Sequence, residues 1–207
     1  MSKTWRTLME TRKVPGLFTF LVANFLYSDA LNTVIVAMGV YATQVIGFGS
    51  AIEVLSPAII AAVLGSWLFG LVTDRLTSKQ SLIISLAMWI GVFVAAIFTT
   101  DRFVFQWIIA PFAGIALGST WTAARTMMIE LSPKEKLGEY LGIYNLTGKF
   151  SAVLGPALWG TTLLLLDPKV HGRFAYQIAI ATLLVMVVAG FVVHMFTPNI
   201  RRIRATS

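Results

Sequence analysis

The chain has 207 residues, of which 57% are apolar and 12% charged, with a mean hydropathy of +0.80. A water-soluble domain carries roughly a quarter of its residues as charged side chains, so this composition excludes one and fits a chain immersed in lipid. The net charge of +7 comes mainly from basic residues between apolar stretches, which reads as a topology signal rather than a nucleic-acid surface; the absence of cysteine excludes disulfides and thiolate metal sites.

A spanning helix needs about 20 apolar residues, and six stretches qualify in chain order. They run from about Gly16 to Thr43, Glu53 to Thr73, Ser81 to Phe98, Phe103 to Met127, Leu137 to Leu166, and Phe174 to Phe196. Lys3, Arg6, Arg12 and Lys13 precede the first stretch, which lacks a small-residue cleavage pattern at its end; it is expected to be a retained helix. The expected organisation is a basic segment at 1–15, a transmembrane domain at 16–196, and a basic tail at 197–207. The short connections make consecutive helices antiparallel neighbours.

With the N-terminus inside, twelve basic residues fall on the inner side, including Arg75, Lys79, Arg125, Lys134, Lys136 and Arg201, while only Arg102, Lys169 and Arg173 fall outside. This asymmetry predicts an integral membrane protein with both termini cytoplasmic, placed in a bacterial inner membrane. The cluster Arg201-Arg202-Ile203-Arg204 is expected to touch anionic lipid. Lys149 belongs to neither side, because it lies inside the fifth stretch.

Two charges stand where hydrocarbon should exclude them. Asp29 lies near the middle of the first stretch, and Phe25, Asp29 and Asn32 recur at helical spacing, with Tyr27 and Ser28 adding polarity. The stripe serves either transport and coupling or a structural hydrogen-bond cluster. Lys149 is roughly twelve residues into the fifth stretch, on one face with Asn145 and beside Tyr144. An ammonium there binds an anionic substrate group, pairs with Asp29, or neutralises charge structurally. Across a cavity, protonation of Asp29 would release Lys149 to a substrate carboxylate or phosphate.

Towards the inner side, Arg125 with Glu139 or Glu130 makes either an ion-pair gate or a static staple. Glu53 opens the second helix as a first-turn acid, followed by a tolerated Pro57. Gly114 and Gly118 have the spacing of a close helix crossing, Ser66 and Gly70 a looser version of it, and Gly155-Pro156 interrupts the fifth helix just beyond Lys149. In the loop after the second helix, Asp74 and Arg75 form a switch-like pair that caps a neighbouring helix in one conformation, although an ordinary capped loop uses the same residues.

The run Gly70-Leu-Val-Thr-Asp74-Arg75 resembles the signature loop of the major facilitator superfamily, with Thr77 where that family usually has glycine. A closer resemblance, covering about Phe20 to Phe196, is to the carboxyl-terminal half of the UMF1 and vacuole-effluxer (Atg22-like) family. It rests on Phe25-Leu-Tyr27-Ser-Asp29-Ala-Leu-Asn-Thr33, on Gly70 to Arg75, and on Gly138-Glu139-Tyr-Leu-Gly142-Ile-Tyr144-Asn145-Leu-Thr-Gly148-Lys149-Phe150 with Gly155-Pro156. The resemblance implies an all-α polytopic fold of six transmembrane helices, half of a major facilitator fold, whose substrate path lies between two such halves.

The function expected is a half-size secondary transporter that moves a small polar solute by alternating access as a homodimer. Proton coupling through Asp29 is expected, with Lys149 as substrate or charge-pair contact. A different six-helix subunit, or a larger membrane complex in which this chain is a non-transporting assembly subunit, is the alternative. No nucleophile with an oriented base, no metal-ligand set and no phosphate loop is present, so neither an enzyme nor a cofactor is expected.

Overall fold

A computed structural model describes residues 11, 12 and 14–198, apart from the side chain of Asp74. The basic anchors Lys3, Arg6, Lys13, Arg201, Arg202 and Arg204 lie outside the described residues.

Helix α1 (Leu17–Tyr41) is prolonged by a wide π-helical turn, Ala42–Ile46, and stops at Gly47, whose φ of 84° is a left-handed conformation suited to a residue without Cβ. Helices α2 (Ile52–Arg75) and α3 (Ser78–Phe98) follow, and a single turn at Arg102–Val104 leads through a second π turn into α4 (Ala110–Leu131). Next come α5 (Leu137–Ser151), α6 (Leu154–Leu165) and α7 (Arg173–Met195).

Among the described residues, five segments are long and apolar enough to cross a membrane: Leu17–Ile46, Ile52–Thr73, Ser78–Phe98, Arg102–Leu131 and Arg173–Met195. The stretch expected as one helix from Leu137 to Leu166 is two helices of 15 and 12 residues, broken at Ala152 and Val153. Pro156 explains the position: it has no N–H for the carbonyl of Ala152, four residues back, and its ring crowds that carbonyl.

α1 is the central helix, packed mainly on α7 and also on α5 and α6. Phe20, Tyr27 and Tyr41 from α1 are fully buried with Leu82, Leu86, Trp89 and Phe93 from α3, Met127 and Met128 from α4, and Ile180 from α7. α2 is peripheral and packs chiefly on α4. A Cβ at Gly114 or Gly118 of α4 would overlap the carbonyl oxygen of Ala58 or Ala62, and one at Gly65 would come within 2.6 Å of the Ile115 backbone. In lipid, where apolar surface alone does not drive helices together, such backbone proximity is what holds the pair. The spacing of Gly114 and Gly118 therefore marks a real crossing, whereas a Cβ at Gly70 would meet nothing within 4 Å.

The helix ends are tied by side chains. Thr77 caps α3 and exchanges bonds with Gln80, whose backbone N–H donates to Thr77 Oγ1 at 3.2 Å while the Thr77 N–H donates to Gln80 Oε1 at 3.1 Å. This capping box is the local reason a threonine suits the position. The Ser78 hydroxyl donates to Glu130 at the end of α4, and Lys79 Nζ donates to the Met195 carbonyl at 2.8 Å, joining α3 to α7. At the opposite end of α3, Arg173 and Gln177 both donate to the Ile97 carbonyl, at 3.0 and 2.8 Å. Glu53 pairs with Arg102 at 2.5 Å and accepts from the Ser50 N–H at 3.1 Å, while its carbonyl takes the Gln106 amide at 3.0 Å. These bonds give Glu53 a structural role.

Candidate functional site

Asp29 sits twelve residues after Leu17, about 18 Å along α1 at 1.5 Å per residue. Its side chain is fully buried, and neither carboxylate oxygen has a hydrogen-bond partner. It is directed at the first turn of α6. The Gly155 N–H, one of the free amides of that turn, faces the carboxylate without closing a well-formed hydrogen bond. Glycine is required there for contact: a Cβ at Gly155 would run into Thr33 Oγ1 and come within 2.9 Å of the Asp29 carbonyl, which already accepts the Thr33 hydroxyl at 2.8 Å. A carboxyl group is thus sealed between the middle of α1 and the start of a half-length helix, where the helix dipole favours negative charge.

The other residues expected around Asp29 are distributed on two sides. Lys149 and Asn145 are exposed on α5, and Lys149 forms no ion pair with the sealed carboxylate. Asn32 is half-buried. Tyr27 is buried with its hydroxyl unpartnered, and lies within electrostatic reach of Tyr144. Tyr144, half-buried, stacks on Phe20 with ring centroids 6.3 Å apart and lies within electrostatic reach of Arg125. Tyr27, Tyr144 and Arg125 therefore form one neighbourhood, while Asp29, Thr33 and Gly155 form another.

Of the acids expected to pair with Arg125, Glu130 accepts the Ser78 hydroxyl. Glu139 is exposed in the first turn of α5. Arg75 is the exposed last residue of α2, and Asp74 precedes it with its side chain outside the described structure.

Arg125 instead lines a groove of about 770 Å³ between α1, α2, α3 and α4. Its wall is mostly apolar, with Val34, Ile35 and Met38 from α1, Ala58, Ile59 and Ala62 from α2, Trp89 and Val92 from α3, and Leu117 and Trp121 from α4. Asp29 lies on the opposite side of α1 from Val34 and Met38, five and nine residues on at 100° per residue, and does not line the groove. The sequence reading missed this surface. A signal for it was present: Gly114, Gly118 and Arg125 are eleven and seven residues apart, so they share one stripe of α4. Among the described residues there is no group of three or more metal-ligating side chains.

Long apolar helices, a carboxyl group sealed at the break of a discontinuous helix, and a lateral groove define an all-α polytopic integral membrane protein, consistent with half of a major facilitator fold. The sequence comparisons agree with this class. The profile of the family described as vacuole effluxer Atg22 like matches residues 1–206, and the chain belongs to that family. It is 29% identical over 195 residues to an uncharacterised MFS-type transporter, YxiO, of Bacillus subtilis, an alignment covering 94% of this chain and 44% of that protein. It is 26% identical over 197 residues to autophagy-related protein 22 of Kluyveromyces lactis, covering 87% of this chain and 39% of the relative. A third relative, autophagy-related protein 22-1 of Aspergillus niger, is 30% identical over 173 residues, covering 75% and 28%. The chain spans less than half the length of these relatives.

Proposed function

We propose that this chain is one half of a secondary transporter. Its six membrane-crossing segments, counting the broken α5–α6 as one, associate with a second six-helix unit, a further copy of the chain, to enclose a path that opens alternately to each side. The solute is small, with a polar or charged end, and enters along the groove and the exposed face of α5 that carries Asn145 and Lys149. Asp29 exchanges the coupling proton, and Lys149 meets the solute or the partner on the face it shares with Asn145. The chain resides in a bacterial inner membrane, and the basic-residue asymmetry supports an orientation with both termini cytoplasmic.

One observation carries the reading: Asp29 is fully buried with both oxygens unpartnered, at the break of a discontinuous helix in mid-membrane. An ionisable group is costly in that position, and a bundle needing only cohesion would gain by replacing it with an apolar residue. Broken helices at membrane depth commonly line the moving part of a transporter.

Purified protein reconstituted in liposomes tests the proposal. A pH gradient drives saturable solute uptake, and Asp29→Asn abolishes the gradient dependence while the assembly keeps its mass. Gradient-driven flux unaltered in D29N would remove Asp29 from the mechanism, and a monomeric chain with full flux would remove the second copy.

A further inference from the structure

We infer that the groove between α1, α2 and α4 binds an organic acid with an extended apolar body, its carboxylate held by Arg125. The hydroxyls of Ser66, Thr122 and Thr126 each donate back to a carbonyl of their own helix, at 2.8, 3.0 and 3.0 Å, and are thereby occupied as donors. Two donors of the wall have no acceptor among the described residues: the exposed Arg125 guanidinium and the indole N–H of Trp89, which is buried.

Both groups are donors only. Among the described residues no aspartate or glutamate lines the groove, whereas a carboxylate finds a planar guanidinium able to take it in two parallel bonds. The rest of the wall is aliphatic and aromatic, and about 770 Å³ lies within the range of ligand pockets, so the body of the ligand is apolar. Arg125 stands six residues before the end of α4, about 9 Å in by helical rise, which sets the acid at one end of the groove and directs its body toward the other.

The assignment rests on the transport reading only in making this ligand the substrate; as a binding site it is tested independently. The chain is placed in phosphatidylcholine nanodiscs at pH 7.5 and titrated with 11-bromoundecanoate, whose bromine quenches tryptophan fluorescence; 11-bromoundecanol is the uncharged comparison. Saturable quenching is expected with the acid, at least about tenfold weaker with the alcohol, and reduced in Trp121→Phe, which removes an exposed reporter from the groove wall. Arg125→Gln lowers the acid's affinity to that of the alcohol, and Arg125→Lys restores part of it. Equal affinities for acid and alcohol overturn the assignment, as does an acid affinity unchanged in R125Q; should R125Q fail to fold, the wild-type comparison of acid and alcohol decides. Displacement of the acid by phosphatidylglycerol added to the nanodisc would make the occupant a bilayer lipid and also overturn it. Binding without flux in the liposome assay leaves the groove assigned and removes the transport reading, whereas flux without binding does the reverse.

Discussion

Gly155 lies so close to Thr33 that no methyl group fits between the two helices they belong to, and this contact seals Asp29 from solvent. The half-length helix α6 docks on the middle of α1 through a glycine at the point where its chain resumes after the break.

Gly155→Ala is expected to lower stability by about 1–3 kcal/mol, the usual cost of inserting a methyl group where the neighbours cannot move. Thr33→Ala removes the oxygen that the new methyl would meet, so the double variant recovers part of the loss, and the two changes are non-additive by about 0.5 kcal/mol or more. Unfolding in mixed micelles with increasing denaturing detergent measures both effects. Strict additivity would place Gly155 away from Thr33.

Asp29→Asn is expected to leave stability unchanged or to raise it by about 1 kcal/mol. The amide has nearly the same shape and carries no charge to desolvate, and no hydrogen bond to the carboxylate is lost with it. A thermal scan at pH 7.5 reads this directly. A loss of several kcal/mol would reveal a partner, with Lys149 the first to examine by a double-variant cycle.

The crossing of α2 and α4 predicts a contrast between two glycines. Gly118→Ala costs about 1–3 kcal/mol, because the obstructing atoms belong to the backbone of Ala62 and Ser66 and cannot rotate away. Gly70→Ala meets open space and is neutral, or stabilising by up to about 1 kcal/mol through helix propensity. Equal effects in the unfolding assay would count against the crossing.

Lys149→Gln is expected to alter the stability of the isolated chain by less than about 0.5 kcal/mol, as for other surface positions. If the exposed face of α5 meets a second copy or the solute, the same change weakens self-association, measured by mass in mild detergent, or lowers flux. A large stability loss with unaltered association would instead mark Lys149 as an internal brace.

The five continuous spans were legible because each is a long apolar run whose length alone identifies it. The fold departs from that reading in the fifth stretch, where Gly155-Pro156 announced an interruption but hydropathy continued through it; the break falls at Ala152 and Val153 because proline acts on the carbonyl four residues earlier. Asp29 and Lys149 were conspicuous as charges in apolar runs. Their relation was not legible, since it depends on the rotation of α1 about its axis and on which neighbour each face meets. Burial turned Asp29 toward α6 and left Lys149 outside. Arg125 read as half of an ion pair because acids lie near it in sequence, yet one of them, Glu130, is engaged by Ser78 from α3.

The bonds at the two ends of α3 have a mechanical consequence. Lys79 grips the end of α7, while Arg173 and Gln177 from the start of α7 converge on the carbonyl of Ile97. A pair of antiparallel rods fastened at both extremities resists sliding and splaying alike, so α3 and α7 hold together as one rigid unit.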